Sequence, residues 1–167
     1  MTVDATAFKL GDPRGGLAPA VLCLHGLTGT PYEVRPPAEA LAEAGFYCEG
    51  PLLPGHGTVP ADLHRLPRAR WVESVLAAHD ALAERHERVY ALGLSLGGLL
   101  ALALAERRRL RGLVVMAAPL DLGWLVHGAV PFWFRGVTAQ FAGYPICRLP
   151  SNKKRFTFLI SNPPLGL

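Results

Sequence analysis

Cysteine is scarce in this chain: the 167 residues contain three, and three cysteines cannot all pair with one another. Cys23 and Cys48 both fall inside predicted strands, so we expect buried thiols that stay reduced. No Cys-x-x-Cys and no His-x-x-x-His spacing occurs in the sequence. We therefore expect no bound metal and no other cofactor.

Long apolar runs are also absent, because Gly and Pro interrupt every hydrophobic stretch well before the roughly 18 residues that a membrane span needs. The first ten residues include Asp4 and lack the basic start and apolar stretch of a signal peptide. These absences predict a cytoplasmic protein with no integral membrane span. They leave the oligomeric state open.

Lysine is rare, and the net charge of +4 comes mostly from arginine. The arginines at 107–109 end a predicted helix, where cations interact favourably with the helix dipole. A second arginine group, within 65–70, flanks a helix start. No aromatic or glycine-rich recognition motif is interleaved with either group, so we expect solvated surface and no nucleic-acid partner.

Apolar runs of two kinds alternate along the first 120 residues, which predicts an α/β fold with a mostly parallel sheet flanked by helices. Short, nearly continuous runs indicate buried strands, and longer runs with helical spacing indicate helices. The predicted strands are 20–24, 46–53, 88–94 and 113–117, with a further edge strand within 6–10; the predicted helices are 33–44, 71–84 and 96–105.

The first of these helices has recognisable end signals. Thr30, Pro31 and Glu33 form a predicted capping box with proline at the first helical position, and Gly45 is a typical residue to follow the last turn. The Pro36-Pro37 pair would interrupt a helix that began at residue 33. The alternative is that the helix proper begins at this pair, after a preliminary turn.

Composition divides the chain into three parts. Residues 1–120 carry the alternating pattern, and residues 121–150 are rich in aromatic side chains with few charges and no clear strand. Residues 151–167 are atypical, because both asparagines and two of the three lysines of the chain occur there. The last part is either a surface tail or a segment that was not built to the same pattern as the rest.

Ser95 lies at the centre of a Gly-Leu-Ser-Leu-Gly sequence, between a predicted strand and a predicted helix. A serine hydroxyl becomes a useful nucleophile only when it is exposed and a neighbouring base takes its proton. A sharp strand-to-helix turn, the nucleophile elbow, exposes the side chain and crowds the backbone two residues to either side, where glycine is needed. This context predicts that Ser95 is a catalytic nucleophile.

A second glycine-containing loop, His25-Gly-Leu-Thr-Gly29, directly follows a predicted strand. Acyl transfer requires two donors that face the developing oxyanion. In such a site one donor is the amide after the nucleophile, here that of Leu96, and the other comes from the loop after an earlier strand. We expect His25 to be a structural imidazole that pins this loop rather than a catalytic residue.

Three runs resemble the small bacterial carboxylesterases and monoacylglycerol lipases of the α/β-hydrolase fold: LCLHGLTGTPYE from residue 22, PLLPGHGT from residue 51 and LGLSLGG from residue 92. The resemblance covers residues 19–120. It implies a serine esterase for a small-molecule ester, with Ser95 as nucleophile and the Leu27 and Leu96 amides as the oxyanion hole. It also implies a cap from the segment after Pro119, and a position near the site for His56, without the role of base.

The family places its catalytic acid and histidine after the nucleophile, in that order. Here the candidates after Ser95 are Asp121 and His127, and both come where the cap is expected to begin. We therefore expect a truncated or frameshifted copy that lacks the C-terminal strands, with an uncovered sheet edge near 113–117. Without its imidazole, Ser95 would lose a factor of thousands or more in activity.

Three functional hypotheses remain open. The first is a carboxylesterase or acylglycerol lipase whose remaining triad members are lost or supplied elsewhere. The second is a non-catalytic protein of the same fold that binds an apolar ligand or a partner. The third recruits His127 or His56 as an unusual base.

Overall fold

The computed structural model describes residues 4–118, 146–148 and 157–161, which form one seven-stranded sheet with four α-helices. Both the strands and the helices are numbered in chain order. The strands are β1 (Phe8–Leu10), β2 (Ala20–Leu24), β3 (Tyr47–Gly50), β4 (Val89–Leu94), β5 (Gly112–Met116), β6 (Ile146–Arg148) and β7 (Thr157–Ser161). The helices are α1 (Arg35–Glu43), α2 (Pro60–Arg65), α3 (Ala69–Ala83) and α4 (Leu96–Ala105).

The sheet has the strand order β1-β3-β2-β4-β5-β7-β6. The pairs β3–β2, β2–β4 and β4–β5 are parallel, which confirms the parallel core expected from the sequence. Strand β1 lies at the edge of the sheet, as predicted, and pairs antiparallel with β3. In the β2–β4 register Leu24 lies beside Gly93, so the loops that follow these two strands leave the sheet at the same place.

Helices cover both faces of β2, and every residue of that strand is buried. Leu22 and Leu24 face a core formed largely with α3 and α4. Val21 and Cys23 face a second core that includes Ala38 of α1. A continuous apolar run is therefore the sequence pattern that this strand requires, because neither face meets solvent.

Helix α4 packs against β4 and β5, and eight of its ten residues are buried. Its sequence, LGGLLALALA, has no polar face. That pattern is the one expected of a helix enclosed on all sides.

The predicted capping box at Thr30 is wrong. The Thr30 hydroxyl makes no cap hydrogen bond and donates to the Asp4 carbonyl oxygen instead, at 3.0 Å. A short 3₁₀ helix occupies Pro31–Val34, and α1 begins at Arg35 with prolines in its first turn. The alternative of a preliminary turn before the helix is confirmed, since proline is tolerated only where no intrahelical N–H is needed.

The predicted C-terminal region also differs from the structure. Residues 119–145, including Asp121, His127 and most of the predicted cap, lie outside the described residues. The expectation of no strand within 121–150 is wrong at Ile146–Arg148, and β7 forms within the segment expected to be an atypical tail. Strand β7 pairs antiparallel with β5, so the prediction of an uncovered edge at β5 is wrong as well.

Cys23 and Cys48 are buried and free, as predicted. Within the part of the chain that the structure describes, no helix combines the length and the apolar content needed to cross a membrane.

Candidate active site

Ser95 occupies the single residue between the end of β4 and the start of α4. Its backbone angles, φ 52° and ψ −113°, lie in a region that residues other than glycine rarely adopt. Two hydrogen bonds hold it there: its N–H donates to the Met116 carbonyl at 2.8 Å, and its carbonyl accepts from the Leu99 N–H at 3.2 Å. The surrounding structure thus enforces a strained conformation, which is a common property of functional sites.

The glycines two residues to either side of Ser95 are required by backbone crowding. A Cβ added to Gly93 would overlap the Gly97 carbonyl, and a Cβ added to Gly97 would overlap the carbonyl of Leu24 at the end of β2. Both obstacles are main-chain atoms that cannot rotate away. The Gly-x-Ser-x-Gly spacing therefore has the steric cause that the sequence predicted.

The loop after β2 lies directly against this turn. A Cβ built on Gly26 would be 3.6 Å from the Cβ of Ser95. Thr28 has a positive φ of 62°, and the Gly29 N–H donates to the Gly26 carbonyl at 3.2 Å, which closes a tight turn. We refer to residues 25–29 as the β2 loop.

The Glu33 carboxylate holds the β2 loop in place. Its Oε2 accepts a hydrogen bond from the Gly26 N–H at 3.0 Å, and the same carboxylate occupies the space beside Gly29. Sequence reasoning missed this role, because Glu33 fits the spacing of a capping box. In the sequence this role is indicated only by a glycine-rich loop with one acidic residue shortly after it. That pattern does not identify which amide the carboxylate binds.

The amides of Leu27 and Leu96 are both without an acceptor among the described residues. Leu96 is the first residue of α4, whose opening N–H groups have no intrahelical partner. Leu27 lies between Gly26, which borders Ser95, and the turn at Thr28. Within the described part of the chain both amides are therefore available as donors, one directly after Ser95 and one directly after Gly26. The partial positive charge at the start of α4 adds to the local field.

His25 is fully buried and uses both ring nitrogens to bind the backbone. Nε2 accepts from the Leu53 N–H at 3.0 Å, so Nδ1 carries the proton that it donates to the Gly26 carbonyl at 2.9 Å. Burial lowers the pKa of His25 to about 4. The ring is therefore neutral and already engaged, which confirms the expected structural role.

His56 packs beside His25 rather than beside the serine. The two rings meet edge to face with centroids 4.8 Å apart, and the His56 Nδ1 donates to the Pro54 carbonyl at 3.1 Å. The Trp71 indole N–H donates to the same carbonyl at 2.9 Å. These contacts hold the segment after β3 against His25 of the β2 loop. Trp71 helps to hold this segment, a role that its helical spacing alone did not reveal.

Neither a base nor an acid contacts Ser95 within the described part of the chain. The side chain of Ser95 is half-buried, and its hydroxyl has no hydrogen-bond partner there. The buried Nε2 of His56 likewise has no partner among these residues, so it does not bind Ser95. Asp121 and His127 lie outside them, and no cluster of three potential metal ligands occurs in residues 4–118.

Comparison with protein families gives one match over nearly the whole chain. The family model described as alpha/beta hydrolase fold matches residues 19–165. This range includes the β2 loop, the Ser95 turn and all but one of the strands.

Two curated relatives come from bacilli. A thermostable monoacylglycerol lipase from Bacillus sp. (strain H-257) is 41% identical over 109 residues, which are 65% of this chain and 44% of the relative. A carboxylesterase from Bacillus subtilis (strain 168) is 37% identical over 123 residues, which are 73% of this chain and 48% of the relative. The chain spans about half the length of these relatives.

Among solved structures, a similar one belongs to the metagenome-derived lipolytic enzymes LipS and LipT. It superposes with a TM-score of 0.58 at 34% sequence identity, over 65% of this chain and 44% of the other.

Proposed function

This chain belongs to the α/β-hydrolase family, and from that premise we propose that it hydrolyses carboxylic esters through an acyl-enzyme on Ser95. The observation that carries the proposal is the strained turn of Ser95 beside Gly26, where the amides of the two following residues, Leu96 and Leu27, have no acceptor among the described residues. The relatives named as a monoacylglycerol lipase and a carboxylesterase support an ester as the substrate class. The proposed nucleophile elbow is the β4–Ser95–α4 turn.

The proposed reaction follows from these positions. A base removes the Ser95 hydroxyl proton while the oxygen attacks the ester carbonyl carbon. The Leu27 and Leu96 N–H groups then stabilise the negative charge on the carbonyl oxygen. The alcohol leaves with a proton, and water hydrolyses the acyl-enzyme to release the acid and restore Ser95. His25 is not the base, because both of its ring nitrogens already bind the backbone.

Preorganisation supports the oxyanion proposal. The Glu33–Gly26 bond and the His25–Leu53 bond hold the β2 loop just before Leu27, and the Glu33 carboxylate beside Gly29 supports it after Leu27, before any substrate arrives. Donors that are already oriented cost no reorganisation when charge develops, and removing one such donor typically lowers kcat by about 100- to 1000-fold. The segment after Pro119 is proposed to supply a cap over the acyl group.

A fluorophosphonate probe tests the nucleophile directly. We expect covalent labelling of the wild-type chain and none in Ser95→Ala. Ser74→Ala is the matched control, because the Ser74 hydroxyl donates to the Trp71 carbonyl on α3 and has no part in the proposed chemistry. Equal labelling of wild type and Ser95→Ala would exclude Ser95 as the nucleophile.

The same probe separates the rival hypotheses. Absence of any labelling, in a chain shown to be folded, favours a non-catalytic protein that binds an apolar ligand or a partner. Labelling that is lost in His127→Ala or His56→Ala favours the unusual base. If labelling survives both substitutions, a panel of p-nitrophenyl esters then measures the acyl-chain preference.

The reduced state of the cysteines is the basis on which we propose a cytoplasmic location. Both cysteines whose side chains the structure describes are buried and free, as reducing compartments permit. Fractionation of cells that express the chain tests this, and recovery in an extracytoplasmic fraction would contradict it.

A further inference from the structure

The side of β4 and β5 that faces away from α4 is only partly covered. Four of its side chains are aromatic or apolar and partly exposed: Tyr90, Leu94, Val114 and Met116. We call these four residues the β4–β5 face. On the other side of the same strands the side chains pack against α4 and are buried, as Val115 is at 1% exposure. Parallel sheets have both faces covered, so among the described residues this face lacks a layer.

The β4–β5 face is continuous across its two strands. Strand register places Leu94 directly beside Met116. The Tyr90 ring reaches across to β5, since a Cβ added to Gly112 would be 2.9 Å from the Tyr90 Cδ1. The Phe46 ring packs edge to face against Tyr90, with centroids 5.6 Å apart. The face thus offers an occupant an apolar surface without an ionic side chain.

The dimensions of this face are those of one α-helix. Neighbouring strands lie about 4.8 Å apart and a helix is about 10 Å wide, so one helix covers two strands. The five residues of β5 span about 17 Å, which a helix of about 11 residues matches. Helix α1 packs on the same side against β1, β2 and β3. A helix over β4 and β5 would therefore lie next to α1 in the same layer.

Strand topology disfavours the β5–β6 connection as the occupant. Strands β5 and β6 both pair antiparallel with β7, so they run parallel to each other. The step from β5 to β6 crosses the sheet in the same direction as the step from β4 to β5. A right-handed crossover in that direction runs over the face that α4 covers. Handedness therefore leaves the β4–β5 face to another segment.

A second copy of the chain offers no suitable helix among its described residues. None of the large apolar side chains that are exposed there lies on an α-helix. Helix α2 has six residues, about half the length that the face accommodates. Helices α3 and α4 already pack against each other and against the sheet.

We propose that the β4–β5 face binds an amphipathic helix of a second polypeptide, about three turns long and with a leucine- or isoleucine-rich stripe. The stripe packs on the four side chains of the face, and the polar side of the helix stays in water. Both covered strands lead to the Ser95 turn, because Ser95 follows β4 and its N–H donates to the Met116 carbonyl. The binding itself does not depend on the chemistry proposed for Ser95.

Fluorescence polarisation with two designed peptides tests the proposal. The probe is a fluorescein-labelled peptide of about 15 residues, made of leucine with equal numbers of lysine and glutamate, whose leucines form one helical stripe. The control peptide has the same composition, with its leucines distributed around the helix. We expect the striped peptide to bind with a Kd at least about tenfold lower, because only its leucines are buried together. Equal affinity, or no binding, would overturn the proposal.

Met116 reports where the peptide binds. The chain has two methionines, Met1 and Met116, so methyl-labelled methionine gives two NMR signals. The Met116 signal should shift with the striped peptide and the Met1 signal should not. The double substitution Val114→Thr with Met116→Gln should weaken binding at least about tenfold. Val59→Thr, at an exposed valine before α2, is the matched control and should leave it unchanged.

Binding that leaves the Met116 signal in place would refute the assignment, whether or not the double variant folds. A dimer of the chain alone, detected by sedimentation and abolished by Met116→Gln, would identify a second copy as the occupant. A variant without residues 162–167 that binds the peptide at least about tenfold more tightly than the whole chain would identify those residues instead. Ser95→Ala should bind the peptide like wild type, so failure of the fluorophosphonate probe leaves this result unaffected.

Discussion

Gly97 shows how one missing side chain shapes the turn at Ser95. Its Cα faces the main chain of Leu24 and His25 at the end of β2, with no room for a methyl group. Gly98, in the same helical turn, faces the Ala118 Cβ and the Val115 Cγ1, each 3.0 Å from an added Cβ, and the Gly93 carbonyl oxygen at 3.2 Å. Contacts of this length are relieved by shifts of a few tenths of an ångström, whereas the overlap at Gly97 requires the paired strand β2 to move.

We therefore expect Gly97→Ala to lower the free energy of unfolding by about 3 kcal/mol or more, as overpacking against backbone does. Gly98→Ala is the matched control and should change it by no more than about 1 kcal/mol, because the gain in helix propensity offsets the crowding. Urea denaturation of both variants measures the difference. Equal losses would show that the backbone contact at Leu24 is not the cause.

Glu33 tests whether a single carboxylate holds the β2 loop. Glu33→Ala should increase the exchange rate of the Gly26 amide at least about tenfold, because its hydrogen-bond acceptor is removed. Glu33→Gln retains an acceptor oxygen and should restore part of the protection. Glu39→Ala, which removes only an exposed partner of Arg35, is the control. Unchanged exchange at Gly26 in Glu33→Ala would refute the role.

His25 makes stability depend on pH in a defined direction. Its pKa is lowered to about 4 in the folded chain, whereas an unfolded histidine titrates near 6.5. The unfolded state therefore binds the proton first. The contribution of neutral His25 to the free energy of unfolding is about 2–3 kcal/mol. It is complete above about pH 6.5 and is lost as the pH falls towards 4.

Substitution separates His25 from the other histidines. Unfolding free energies of wild type and His25→Gln, measured from pH 7.5 to pH 4, should converge as the pH falls. Gln keeps a polar group that reaches towards Leu53 but does not titrate. A constant difference between the two proteins over this range would rule out the pKa shift of His25.

At the scale of elements, α4 is the helix whose burial the sequence predicts most clearly. Leu104 is 1% exposed in its last turn. Leu104→Ala should cost about 2–5 kcal/mol of stability, from lost burial and from the cavity left behind. Leu17→Ala, at a site that is 80% exposed, should change stability by less than about 0.5 kcal/mol. Thermal or urea unfolding of the pair checks the contrast, which comparable losses would contradict.

Helix α1 illustrates an element whose limits the sequence left ambiguous. Thr30 and Glu33 have the spacing of a capping box, yet each side chain binds a more distant backbone group. Local spacing could not resolve this, because the competing partners, Gly26 and Asp4, come from segments that only the fold brings near. The Pro36-Pro37 pair was the better guide, since its constraint is purely local.

At the scale of the whole molecule, the centre and the edge of the sheet should differ in stability. Strand β2 is buried on both faces and paired on both sides, whereas β1 has three residues and one neighbour. We expect the amides of Leu22 and Cys23 to exchange only through global unfolding, and those of β1 at least about a hundredfold faster through local opening. Native-state hydrogen exchange in increasing urea measures both. Identical urea dependence for β1 and β2 would contradict it.

The candidate site lies at one end of the sheet. The carboxyl ends of β2 and β4 bring together the β2 loop and Ser95. Ligands of open α/β sheets bind outside the carboxyl ends of the strands, so the position of Ser95 is the expected one.

The sequence by itself determined the parallel core, the positions of four of its strands and three of its helices, and the turn at Ser95. These features depend on local patterns: buried runs, helical spacing, and glycines beside a serine. Tertiary structure alone decided that Glu33 binds Gly26, that His25 binds Leu53, and that β7 pairs with β5. The physical reason is that each of these contacts joins groups whose approach is set by strand register and packing, which no local pattern encodes.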